Sequence, residues 1–214
     1  MKNIANLLVQ NNIVKFNFET PFLWTSGIKS PIYCDCRELI ALPELRQPVV
    51  QAFIDSITKN FASAGTGLNT VDFFAGTATA GIPWAAFVAQ KLEKSMLYVR
   101  SRPKGHGAGK MVEGRGAKNS VGVVVEDAIS TAGSSVKSVE ALRRELTADV
   151  QHIFAIFSWD TDFSHKNAAE AQVQLHPLTT FAEIIEAAYA AQKISLQQKQ
   201  SLESFRANPA GWSE

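Results

Sequence analysis

Ile4, Leu7 and Leu8 fall on one face of a 3.6-residue period, which predicts a short helix over Ile4–Val9. Ile13–Phe18 alternates apolar with polar residues, the period of a strand. Pro31–Cys36 reads as another extended piece, entered through the turn at 25–30. Pro48–Ala62 predicts a helix with Pro48 near its first turn, where a missing N–H costs little. The pattern then becomes regular, with strand Val71–Phe74, helix Gly81–Leu92 and strand Met96–Val99. After a long loop come strand Val121–Val125, helix Ser134–Leu146, strand Ile153–Phe157 and helix Phe163–Ala171. Beyond Pro177, Phe181–Ala191 and Ile194–Phe205 predict closing helices. Strands alternating with helices imply the α/β class, a doubly wound parallel sheet. Residues 1–40 stand outside that alternation and are expected to form a small N-terminal hood lobe. The core is expected over 41–178 and the closing helices over 179–214, all in one compact unit.

Composition supports a packed domain. With 46% hydrophobic and 19% charged residues, a sizeable core is feasible and composition argues against disorder. A net charge of +1 argues against a globally basic nucleic-acid binder. No apolar run approaches the ~20 residues of a membrane span, and Met1-Lys-Asn-Ile lacks the apolar core of a signal peptide. A cytoplasmic protein is therefore expected, with no membrane partner. Cys34 and Cys36 are the only cysteines. In an extended segment both point to one face, and a disulfide closing so short a loop would be strained. His106, His152, His165 and His176 are scattered, so neither a Cys-x-x-Cys pair nor a zinc set is available.

The densest chemistry lies at 121–135. Valines at Val121 and Val123–Val125 suit a central parallel strand buried on both faces, with Glu126 and Asp127 emerging at its C-terminal end. In open α/β sheets that end is where ligands bind. Ser130, Thr131, Ala132, Gly133, Ser134 and Ser135 then offer backbone N–H groups, hydroxyls and a helix N-terminus, all suited to a phosphate. Carboxylates repel phosphates, so the pairing makes sense for a sugar phosphate. The acids accept hydrogen bonds from ribose hydroxyls while the turn holds the phosphate. An ordinary strand-to-helix turn with an acidic N-cap is the plainer alternative.

Residues 100–118 carry no predicted element, and so long a loop inside a compact core marks a lid or binding loop. Five of the 13 glycines fall there. Arg100, Arg102, Lys104, Lys110, Arg115 and Lys118 face only Glu113, a local charge of +5 that suits an anion such as diphosphate. A solvated basic loop is the competing explanation. Gly76, Thr77, Ala78, Thr79, Ala80 and Gly81 follow a strand and open a helix, so their backbone can hold an anion as well.

The order Val123–Val125, Glu126, Asp127, Ala128, Ile129, Thr131–Ser135 resembles the phosphoribosyl-diphosphate (PRPP) motif of type I phosphoribosyltransferases, with Ser130 lengthening the turn by one residue. Arg100, Lys104, His106, Gly107 and Gly109 resemble the flexible loop of orotate phosphoribosyltransferases, Ser101 standing where a second lysine is frequent. The 76–81 segment looks like that family's pyrophosphate loop, with Thr79 and Ala80 where some members carry tyrosine and lysine. Trp24–Tyr33 is similar to its orotate-side segment through Ser26-Gly27 and Ser30-Pro31, with Thr25 in place of a lysine. An arginine that some members use on orotate is absent around Asp160–Asp162.

The resemblance implies a type I phosphoribosyltransferase-like core that transfers phosphoribosyl from PRPP to orotate. The products would be orotidine 5′-monophosphate and diphosphate, on the way to UMP. It implies Mg2+ held mainly through PRPP rather than by protein ligands, and a homodimer whose lids reach the partner's site, with no nucleic-acid partner. Glu126, Asp127, Lys104 and His106 become the catalytic residues; Arg100, Lys104, His106 and 126–135 bind PRPP. Ser130, Thr25, Ser26, Gly27 and Tyr33 become the orotate contacts. A purine phosphoribosyltransferase would share the PRPP motif. A non-catalytic PRPP-sensing regulator on the same fold would instead need a basic surface that the closing helices, with Glu183, Glu186 and Glu203, do not supply. No Gly-x4-Gly-Lys-[Ser/Thr] is present, which excludes a P-loop hydrolase.

Overall fold

The computed structural model describes residues 3–23, 27–103 and 109–212. Helix α1 (Ile4–Gln10) is capped by Asn3, whose side chain accepts from the Asn6 N–H at 3.1 Å. Strands β1 (Val14–Phe16), β2 (Phe22–Leu23), β3 (Lys29–Ser30) and β4 (Ile32–Cys34) follow as two small antiparallel pairs, β1 with β4 and β2 with β3. A 3-10 turn, Cys36–Ala41, leads into α2 (Pro43–Ser63). The alternating part runs β5 (Phe73–Thr77), α3 (Gly81–Lys91), β6 (Ser95–Val99), β7 (Val112–Glu113), β8 (Val121–Ile129), α4 (Gly133–Leu146), β9 (Asp149–Ser158), α5 (Asp162–Glu170) and β10 (Gln174–Thr180). Helices α6 (Phe181–Ala190) and α7 (Leu196–Ala207) close the chain.

The main sheet has the order β10-β9-β8-β5-β6-β7, with β7 antiparallel at one edge and the other neighbours parallel. Alternation along its strands divides the core. Val123, Val125, Phe154 and Ile156 point to the face covered by α1, α2, α3, α6 and α7, where Leu8, Phe53, Trp84, Ile184 and Phe205 are buried. Val124, Ile153 and Ala155 point to the other, under Val139, Leu142 and Ala168 of α4 and α5. A strand covered on both faces needs a continuous apolar run, which is what Val123–Val125 supplies. The doubly wound parallel sheet is thus the observed architecture.

Four local expectations are corrected. Helix α2 begins at Pro43, and Pro48 lies inside it rather than in its first turn. An interior proline removes one helical hydrogen bond, but Val49, Val50, Phe53, Ile57 and Phe61 bury the helix against the sheet and keep it continuous. The 100–118 segment is not structureless, because β7 returns along β6 and pairs Val112 with Val99 and Glu113 with Tyr98. Strand β8 does not stop at Val125 but carries Glu126 and Asp127 within it, paired to β9 as far as Ile129. Strand β10 was not foreseen. Its Pro177 lies on an edge strand, where a missing ladder donor is tolerated.

Candidate active site

The C-terminal end of β8 brings the acids to the rim of the sheet. Glu126 is only 4% exposed. One of its oxygens accepts from the Ser135 hydroxyl at 3.1 Å and the Ser134 hydroxyl at 3.4 Å; the other accepts from the Asp127 N–H at 3.3 Å. Burial, and then the charge of Asp127, push the Glu126 carboxyl up to about 8, with the Ser135 hydrogen bond opposing. Burial raises Asp127 too, against the pull of the Glu126 hydrogen bond, the Ala128 N–H and the Arg37 charge. Two adjacent carboxyls in so little water retain one proton between them near neutral pH. Burial and the neighbouring carboxylate thus favour the protonated form of Glu126.

The hydroxyl turn is built to present donors. Ala132 adopts φ +61°, the left-handed region, at the N-cap of α4, where its own side chain makes no cap bond and the Thr131 hydroxyl accepts from the Gly133 N–H at 3.4 Å. First-turn N–H groups have no intrahelical acceptor. A left-handed residue beside right-handed ones gathers successive N–H groups into an anion-binding concavity. The acidic N-cap of the plainer alternative is not what the turn forms. Helix α5 braces the turn from behind: the Thr161 hydroxyl donates to the Ser130 carbonyl and the Asn167 amide to the Thr131 carbonyl, each at 2.8 Å.

Gly76 and Thr77, expected to follow the strand, are instead the last residues of β5, and Gly81 opens α3; the 76–81 segment lies against β8. A Cβ on Gly81 would stand 2.5 Å from the Val125 carbonyl oxygen and 3.2 Å from a Glu126 carboxyl oxygen. One on Gly76 would meet the Ile82 Cα at 2.6 Å. Glycine alone lets this loop pack so closely. The Thr77 hydroxyl donates to that of Ser138 on α4 at 3.1 Å, tying loop to helix. Ala78, Thr79 and Ala80 complete the link, the Ala78–Thr79 peptide being cis.

The stem of the basic segment is fixed at both ends. The Arg100 N–H donates to the Met111 carbonyl at 3.0 Å, and its guanidinium lies 3.4 Å from Glu113. Glu145 of α4 accepts from the N–H groups of Met111 and Val112 at 3.0 and 3.2 Å. Lys104 and His106 lie outside the described residues, as do Thr25 and Ser26. Gly27 is exposed with φ +84°. Tyr33 stands on β4, its hydroxyl accepting from Arg37 at 2.9 Å.

Several contacts were not anticipated. Thr161, Asn167 and Glu145 hold the turn and stem from far along the chain, and only Thr161, one residue ahead of a helical pattern, carried a local signal as an N-cap. An arginine does reach Asp160, but from α7: Arg206 pairs with one of its oxygens at 3.0 Å, and His165 meets the other at 2.8 Å. His152 and His176, far apart in sequence, meet at 3.0 Å near the opposite end of β9. No set of three His, Cys, Asp or Glu able to hold a metal occurs among the described residues.

The shared proton gives a stability test. Glu126 has a folded pKa above its ordinary 4.5, so between about 4.5 and 8 the folded state binds more protons than the unfolded one. Stability therefore falls as pH rises through that window. Glu126→Gln removes the penalty. It is expected to raise Tm relative to the parent protein at pH 9 and to leave it nearly unchanged at pH 4, below the window. Thermal melts giving the same difference at both values would contradict the assignment.

No protein-family model matches the chain. An orotate phosphoribosyltransferase of Listeria innocua is 41% identical over 211 residues, covering 99% of this chain and 97% of that protein. One from Streptococcus pneumoniae is 42% identical over 213 residues, covering 100% and 98%. Among solved structures, the orotate phosphoribosyltransferase of Aeropyrum pernix superposes with a TM-score of 0.74 at 26% identity, over 90% of this chain and 99% of that one.

Proposed function

The chain belongs to the orotate phosphoribosyltransferase family, and from that premise we propose that the β8–α4 junction is where it transfers phosphoribosyl from PRPP to orotate. One observation carries the site assignment. The acid pair, the left-handed hydroxyl turn and the glycine loop at 76–81 all converge on the end of a single strand, with Gly81 lying against Val125 and Glu126.

The 5′-phosphate rests on the N–H groups and hydroxyls of 131–135, and the ribose hydroxyls donate to Asp127 and Glu126. The diphosphate lies along 76–81, with Arg100, Lys104 and His106 closing over it. As the C1–diphosphate bond stretches, positive charge develops on the ribose ring, and orotate nitrogen attacks the opposite face. Asp127, which feels the Arg37 charge, stabilises that state through a fixed field in a site closed to water. Keeping Glu126 neutral avoids placing two negative charges beside an already anionic substrate. Mg2+ prefers oxygen ligands and substrate phosphates. It would be held mainly through PRPP, with the acid pair on the ribose hydroxyls beside it, and would neutralise charge on the leaving diphosphate.

Residues 1–40 form the hood over the base side, the lids act across a homodimer, and the enzyme works in the cytoplasm. No helix among the described residues is long and apolar enough to cross a membrane. The test is diphosphate release from PRPP with orotate, uracil, adenine and hypoxanthine offered in turn. Mg2+-dependent release with orotate alone is expected. Turnover of a purine in place of orotate would overturn the base assignment, and PRPP binding without turnover would indicate a regulator.

A further inference from the structure

Three sides of the ribose are occupied: 131–135 at the phosphate, 76–81 at the diphosphate, and β8 beneath. On that reading the base enters from the remaining side, where the 3-10 turn Cys36–Ala41, which follows β4, packs on β8. That turn is anchored by Cys36 and Leu39, at most 1% exposed. It carries Arg37, whose guanidinium is held as a rigid fork. Nε and Nη2 donate to the two oxygens of Asp35 at 2.6 Å each, and Nη2 also donates to the Tyr33 hydroxyl at 2.9 Å. Asp35 is itself fixed as the N-cap of the turn, accepting from the Arg37 N–H at 3.1 Å. Nη1, with two N–H donors, has no partner among the described residues, and the side chain is 59% exposed. The Tyr33 hydroxyl, having accepted from Arg37, retains its own proton to donate. Arg37 and Asp127 lie close enough to feel each other's charge.

We propose that Arg37 Nη1 and the Tyr33 hydroxyl form the receptor for the carboxylate of the base, and that Arg37 determines the enzyme's preference for an anionic pyrimidine over neutral bases. The assignment rests on the orotate reading above. Asp35 cancels most of the net charge, so recognition comes from direction more than from attraction at a distance. Two donors are pre-oriented by a fork that loses little entropy on binding. A guanidinium is always charged and planar, which suits a carboxylate plane. A neutral base would leave these donors unpaired and desolvated, and unmade hydrogen bonds of charged groups are the expensive kind. Discrimination thus has two sources, the hydrogen bonds a carboxylate accepts and the desolvation a neutral base leaves unrepaid.

The experiment compares orotate with its methyl ester, which keeps the ring and loses the charge, by titration calorimetry on the full-length protein. Hydrogen bonds to charged groups carry the scale of the effect: Arg37→Gln should weaken orotate about 10- to 100-fold. It should leave the ester, and the KM for PRPP, nearly unchanged. Arg37→Lys should recover part of the preference, as a charge without the fork, and Tyr33→Phe should lose a smaller part. If Arg37→Gln melts early, these two variants carry the same comparison. Equal weakening of orotate and ester, or orotate affinity unaltered in Arg37→Gln, would overturn the proposal. So would a parent protein that binds acid and ester alike. Turnover of orotate by the parent protein is read separately and reports on the family activity alone.

Discussion

Asp127→Asn should lower the single-turnover rate of phosphoribosyl transfer on the order of 100- to 1,000-fold, the scale of one lost electrostatic contact to a transition state. Glu126→Gln should lower it only about 10-fold by the same comparison. The asymmetry follows from the shared proton. Glu126 is wrapped by Ser134, Ser135 and backbone and is neutral near pH 7, so glutamine replaces one neutral group with another. Asparagine removes the charge that Asp127, beside Arg37, brings to the ribose. PRPP affinity should change less than the rate in both variants, because the field matters most once positive charge develops on the ribose. An unchanged rate in Asp127→Asn would reduce the pair to a structural element. A larger loss in Glu126→Gln than in Asp127→Asn would reverse the proton assignment.

Mixing inactive Lys104→Ala protein with inactive Asp127→Asn protein should restore about one quarter of the parent activity. With random exchange half of the dimers are mixed, and each mixed dimer holds one site with both residues intact. The stem of the segment is held at both ends. Arg100 is tied to Met111 and Glu113, and Glu145 clamps the returning strand to α4. On the proposed dimer, this +5 segment meets diphosphate at the partner's site. If subunits demonstrably exchange and no activity returns, the lid acts within its own chain.

The central strands were legible because burial on both faces demands unbroken apolar runs, and Phe73–Ala75, Val123–Val125 and Ile153–Phe157 provide them. Strand β10 was not, since Gln174, His176, Pro177, Thr179 and Thr180 suit an edge and break the apolar signal. Strand β8 read short because a buried carboxyl looks like a loop residue until its partners Ser134 and Ser135 are brought to it. Of the site, the residues close in sequence were legible: acids, hydroxyl turn and glycine loop each carry a local pattern. Their mutual packing through Gly81 was not, nor was the left-handed Ala132, a conformation that glycine or asparagine would ordinarily announce. The bracing of the turn by Thr161 and Asn167 joins residues some thirty positions apart, which no periodicity reports. Arg37, Asp35 and Tyr33 are near neighbours in sequence, but only the 3-10 turn folds them into one fork.

The most direct measurement is a diffraction structure of the protein with PRPP and Mg2+. The expected density places the 5-phosphate on the N–H groups of 131–135, the ribose hydroxyls on Asp127 and Glu126, and the diphosphate along 76–81. A phosphate seated elsewhere, such as the cavity between α5, α6 and α7 lined by Thr161, Phe163 and Arg206, with the β8–α4 turn left empty, would contradict the account.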